Sequence, residues 1–177
     1  MAIADDSCIR PLPRLGAAVS LRANPIDTFA RIATAESYRY EREGPNGLHI
    51  DLHGLHCDHD LSISWDPAEE NVALFILFDG RIPGGRSDDI CRLLCLLNER
   101  LVAGHFDYYA RSSSLIYRHA VSLKGGAALT TDQALDIMGQ ALESAEAGYP
   151  AAQYVVWAGK SPEDALADAL VDIAAHR

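Results

Sequence analysis

Two hydrophobic periods alternate along the chain. In NPIDTFARIATAE, residues 24–36, Ile26, Phe29, Ala30 and Ala33 share one helical face, Asn24 is placed to cap the first turn, and Pro25 suits its opening position. The next four runs, SYRYERE, GLHIDLHGL, HDLSISW and NVALFILFDG, are short and separated by Gly, Pro, Asn or Asp. They predict an antiparallel meander. The last is apolar at every position from Val72 to Phe78, which predicts a sheet covered on both faces at that strand.

Helical spacing returns in SDDICRLLCLLNERLVAG, where Ile90, Leu93, Leu94, Leu97 and Leu101 form a stripe that Cys91, Cys95, Leu96 and Val102 widen. So broad a stripe predicts contact with a second layer or a second subunit, and a homodimer is the expected assembly. Gly104 ends the helix. HFDYYAR and LIYRHAVSL then predict a hairpin turning at Ser112 and Ser113, with Asp107 opposite Arg118 on one face and Phe106 opposite His119 on the other. Further on, Thr130 and Gln133 make a capping box before the stripe Ala134, Leu135, Ile137, Met138, Ala141, Leu142 and Ala145. Gly148 and Pro150 are expected to bend or break this helix before AAQYVVWAG. Ser161 caps a last helix that Pro162 opens. The order helix, strands, helix, two strands, helices predicts an α+β fold, an antiparallel sheet flanked by helices. Residues 1–23, interrupted by Pro11 and Pro13 and without a clear period, are expected to form an N-terminal tail; residues 24–177 form a single domain.

Composition narrows the function classes. A chain of 177 residues that is 49% hydrophobic has enough core to fold without staples. It has no apolar run of bilayer-spanning length and no apolar signal segment at the N-terminus, so a soluble, cytoplasmic protein is expected, with no membrane partner. Cys8, Cys57, Cys91 and Cys95 form neither a zinc-like CxxC pair nor a dense framework, which fits reduced thiols. A formal net charge of −10 repels phosphate backbones, and no basic stripe overrides it, so nucleic acid is not an expected partner.

The densest candidate chemistry is HIDLHGLHCDHDL, residues 49–61, which holds four histidines, a cysteine and three aspartates. Joining its two strand runs through a two-residue turn at Cys57 and Asp58 sets Leu52 against Ile63 and Ile50 against Trp65 on the buried side. His49 and His53 then lie on the outward face, about 13 Å apart along the strand at about 3.3 Å per residue, too far to share one ion. His56 and His59 stand opposite one another beside the turn, within reach of a metal helped by Cys57 or Asp58. That pair is the candidate metal site, against the simpler reading in which His49 and His53 decorate a solvated face and His56 and His59 close the end of the core. No cofactor is expected.

Other catalytic readings have simpler alternatives. Cys91 and Cys95 lie four apart on an apolar helix and are expected to be inert core. His105, Asp107 and Ser112–Ser114 assemble into a hydrolase triad only on paper, with no GxSxG elbow, and Asp107 is occupied if it pairs with Arg118. Gly84 and Gly85 precede a helix without the lysine and spacing of a P-loop, and Asp88 and Asp89 already occupy the positive end of the dipole.

Two stretches carry a family resemblance. LLNERLVAGHFDYYARSSSLIYRHAVSLKGG, residues 96–126, and YPAAQYVVWAGKSPEDALADAL, residues 149–170, contain in order Asn98, Leu101, Gly104, Phe106, Asp107, Tyr117, Arg118, His119, Gly125, Gly126, Tyr149, Pro150, Gly159, Ser161, Pro162, Ala165 and Leu166. In these the chain resembles the YbjN domain family, described as bacterial sensory transduction regulators, over about residues 25–172. The resemblance implies a type III secretion chaperone-like fold that commonly pairs into dimers, and a non-enzymatic regulatory or protein-binding, chaperone-like role with an unknown protein partner. It carries no catalytic residues across. The hairpin Gly54–Leu61 departs from the family in its histidines, which keeps a metal-responsive sensor built on His56 and His59 as the alternative.

Overall fold

The computed structural model describes residues 23–175. The N-terminal tail predicted over 1–23 therefore lies outside the described residues apart from Ala23. Helix α1 (Pro25–Ala35) starts as its sequence requires: the Asn24 side chain accepts the Ile26 N–H at 3.0 Å and Pro25 opens the first turn. Strands β1 (Tyr40–Glu43), β2 (Gly47–His53), β3 (Asp58–Asp66) and β4 (Asn71–Leu77) follow, then α2 (Ser87–Glu99), β5 (His105–Tyr109), β6 (Ser114–Ser122), α3 (Thr131–Val156) and α4 (Pro162–Ala175). The six strands form one antiparallel sheet in the order β1-β2-β3-β4-β6-β5.

All four helices gather on one face. α1 packs on α3, α3 on α2 and α4, and α2 on α4, and together they cover Leu48, Ile50, Leu61, Ile63, Leu74, Ile76 and Tyr117, each buried to within 2% exposure. Each such aliphatic side chain contributes about 1.5–3 kcal/mol of burial. The expectation that both faces of β4 are covered is corrected here. Val72, Leu74 and Ile76 point into the core, whereas Ala73 and Phe75 are only half-buried and Leu77 is 56% exposed on the other face. An unbroken apolar run hides that alternation, because its outward residues are apolar too.

The hairpin registers also differ from expectation, by even steps. In β2–β3, Leu52 faces His59, Ile50 faces Leu61 and Leu48 faces Ile63, a slip of four residues along β3, because the loop is the four residues 54–57 closed by the Gly54 N–H on the Cys57 carbonyl. In β5–β6, Asp107 faces Ile116 and Phe106 faces Tyr117, with Ser113 in the left-handed region at φ 55° inside a longer loop. An even slip keeps each side chain on its predicted face. Arg118 still reaches Asp107 diagonally at 3.5 Å.

Two helix ends are corrected as well. α2 stops at Glu99 instead of running to Gly104, because the Arg100 and Leu101 N–H groups tighten onto the carbonyls of Leu97 and Asn98. The Asn98 side chain then bonds both backbone groups of Phe106, at 2.7 and 3.1 Å, and turns the chain into β5. α3 does not break into two helices: it runs through Gly148 and Pro150. Packing overrides the proline, since Ala151 and Val155 beyond it are fully buried. The Thr130–Gln133 capping box forms, and the Ser161 hydroxyl accepts the Asp164 N–H at 3.1 Å at the start of α4.

Candidate functional site

The structure separates the four histidines of residues 49–61. His49 and His53 point outward from β2, as expected, each against carboxylates. Nε2 of His49 lies 3.4 Å from Glu43 and Nδ1 lies 3.4 Å from Asp60 and 3.1 Å from the Ser62 hydroxyl; His53 lies 2.9 Å from Asp58. Partial burial opposes protonation of His49, but its bonds to Glu43 and Asp60 outweigh it and raise the imidazole above its ordinary range. The bond to Asp58 raises His53 likewise.

His56 and His59, the candidate metal pair, do not stand opposite one another. His56 is exposed in the loop, and His59, paired across from Leu52, is 4% exposed on the core face. The register slip removes the premise on which they were paired, and among the described residues no group of three His, Cys, Asp or Glu side chains has metal-holding geometry. Nε2 of His59 instead donates to Glu146 Oε1 on α3 at 2.8 Å, and Glu146 Oε2 accepts the Leu55 N–H at 2.8 Å. Glu146 thus ties the hairpin loop to α3. A Cβ at Gly54 would lie 2.1 Å from that carboxylate, so only glycine leaves room for it.

Cys57 completes this cluster without becoming a nucleophile. Its sulfur is 3.9 Å from both ring nitrogens of His59, and a position equidistant from the two is not aligned on either lone pair. Partial burial, with the carboxylates of Glu146, Asp79 and Asp58 beside it, pushes the thiol up in spite of a bond from Tyr149, so the thiolate is disfavoured. The outward trio Ser62, His49 and Glu43 resembles a catalytic triad only in its distances. β3 is paired on both edges, so its backbone N–H groups are spent in the ladders and leave no oxyanion hole, and the Glu43 side chain is 82% exposed. His105 starts β5 while Ser112–Ser114 lie beyond its far end, so that triad is not assembled. Cys91 and Cys95, expected in the core, are exposed on α2.

His119 is the remaining titratable group of interest. It faces the core opposite Leu74, its Nδ1 is buried without a hydrogen-bond partner, and burial lowers its pKa, with Asp136 opposing. A depressed histidine binds its proton more readily in the unfolded chain. Its contribution is therefore whole above the unfolded value of about 6.5 and is lost as pH falls toward the folded value. Urea midpoints measured at about pH 7.5 and about pH 5.5 should show a larger acid loss for the native protein than for His119→Leu. Equal losses would show that His119 is solvated in the folded state.

The feature that sequence reasoning missed is a groove of about 940 Å³ on the helical side. Its floor is apolar, with Leu97, Leu101, Phe106, Leu142, Leu166 and Leu170, and its lips are the 54–57 loop and the turn after α2. Leu55 is 50% exposed on one lip and Val102 wholly exposed on the other. Its sequence signal is the breadth of the α2 stripe, which presents Leu97, Leu101 and Val102 as a contact surface, while the α3, α4 and hairpin-loop residues that complete the groove are not connected to that stripe by the sequence.

These features define an α+β protein with helices on one face of its sheet and an apolar groove among them. The chain belongs to the YbjN family: the family model described as "Putative bacterial sensory transduction regulator" matches residues 25–153. Among solved structures it is similar to the "Crystal structure of YbjN, a putative transcription regulator from E. coli", with 13% identity and a TM-score of 0.49, covering 67% of this chain and 84% of that one. No curated protein matches the chain.

Proposed function

We propose that the protein is a non-enzymatic regulator that works by binding another protein, with signalling or chaperone-like consequences, and that the groove on the helical side receives an amphipathic helix of that partner. The observation that carries this reading is the pair of exposed apolar lips, Leu55 and Val102, over an apolar floor. Exposed apolar side chains grouped around a groove mark an interaction site, and a helix laying its apolar stripe into such a groove is a recurrent mode of recognition. The polar rim of Gln140, Glu143 and Arg100 supplies orientation around it. The sensory transduction description of the family agrees with a role in binding.

The test is a tagged capture from cytosol followed by mass spectrometry. A stoichiometric partner held by the native chain and lost from the Leu55→Asp and Val102→Asp variants is the expected result. A partner retained by both variants would move the site elsewhere, and a second copy of this chain as sole occupant would make the groove a dimer surface. Zinc or copper at stoichiometry, lost on replacing His56 and His59, would favour a metal-responsive sensor instead.

A further inference from the structure

The sheet face opposite the groove is divided by charge. On β1, β2 and β3 its outward residues include Glu41, Glu43, Asp51, Asp58 and Asp60, interleaved with His49 and His53. Arg39, 3.6 Å from Asp51, is the cation that accompanies them, since Arg42 turns the other way to Asp27 on α1. On β4 and β6 the same face carries the apolar strip Ala73, Phe75 and the exposed Leu77, with Ile116 paired beside Leu77, and beyond it Arg118, paired beside Phe75 and held by Asp107 at 3.5 Å. Among the described residues no helix covers this face, since the helices pack on one another across the sheet from it.

The two halves sit at the spacing of one helix. From β2 to β4 is two strand separations, about 10 Å, close to the diameter of an α-helix with its side chains, about 10–12 Å. We propose that this face binds a cationic amphipathic helix of a partner protein, with lysine or arginine side chains over the acidic half and apolar side chains over Phe75 and Leu77. The charge complementarity specifies the occupant. A second copy of this chain would bring the same acidic strip, whereas a basic segment meets five carboxylates and is steered by the net charge of −10. This surface is separate from the groove, and neither reading requires the other.

The test uses the whole chain and two synthetic helical peptides with leucine along one face, one bearing lysine and the other glutamate along the opposite face. Titration calorimetry is run at about pH 9, well above the ordinary histidine range of about 6.5, because the carboxylates beside His49 and His53 raise both imidazoles. The lysine peptide should bind and the glutamate peptide should not, with affinity falling about tenfold or more on raising salt from about 0.05 to about 0.5 M. Leu77→Asp and the doubly neutralised Asp51→Asn, Asp60→Asn variant should each weaken binding about tenfold, as for truncated anchors, while Val102→Asp leaves it unchanged. As pH falls from about 9 toward about 6 binding should weaken, because His49 (facing Glu41, Glu43 and Asp60) and His53 (facing Asp51 and Asp58) take up protons and carry positive charge. Equal binding of both peptides, loss in Val102→Asp with retention in Leu77→Asp, or a dimer that Leu77→Asp dissociates would each overturn the proposal.

Discussion

Gly148→Ala should destabilise the protein by about 1–3 kcal/mol, although the same exchange in an open helix is favourable by about 1 kcal/mol. A Cβ at this position of α3 would lie 2.5 Å from Cε1 and 2.7 Å from Cζ of Phe106. The ring is held by its neighbours. It stacks on Phe78 at 6.0 Å, meets the edge of Tyr117 at 5.4 Å, and is 3% exposed. Its backbone is pinned by the two bonds to Asn98, so relief by moving β5 would break the turn after α2. Phe106→Leu alone should cost stability as a cavity forms. In that background Gly148→Ala should become neutral or favourable, a coupling that urea unfolding of the four proteins would measure directly. If the two substitutions add, α3 does not approach the sheet closely at Gly148.

This contact also explains why the family was legible before the site was. Asn98 and Phe106 lock α2 to β5, and Gly104, at φ 71°, leaves room for the Tyr117 hydroxyl, which a Cβ would meet at 2.2 Å. Tyr149 meets His59 and Phe78 at 6.2 and 6.1 Å, and Ser161 starts α4. The residues that carry the resemblance are joints between elements. They specify one fold, and they say little about what the fold binds.

Local signals were readable because they act over a single turn. Asn24 with Pro25, the Thr130–Gln133 box and Ser161 with Pro162 each place a helix start where it is found. Registers were not, since neither hairpin has the Asn-Gly or Asp-Gly pair that would set its loop length. The slips were even, so His49 and His53 kept the predicted face while His59 lost its predicted neighbour. Gly148 and Pro150 misled for a related reason. Read locally they break a helix; in the structure the first admits Phe106, and burial on either side holds the second. No local pattern connects residue 146 to residue 59.

That long-range contact carries the second large effect. Glu146→Ala should cost about 2–4 kcal/mol, the range for stranding a buried polar group while losing a charge-assisted bond. The side chain of His59 is 3% exposed and that of Glu146 14%, so water cannot fully replace the lost carboxylate at Nε2. The Leu55 N–H loses its acceptor too, and the loop bearing one lip of the groove comes free of α3. Glu146→Gln keeps one carbonyl oxygen and should cost about half as much, because one of the two donors still finds an acceptor. Replacing both partners, as His59→Leu with Glu146→Leu, removes the buried polar pair and should recover most of the loss in global stability. It should not recover Leu55. Amide exchange at that residue should stay fast in the double variant, since neither leucine can accept its hydrogen bond. Slow exchange there would mean that the loop holds itself closed through the Gly54–Cys57 bond alone, and that Glu146 stabilises the core without positioning the lip.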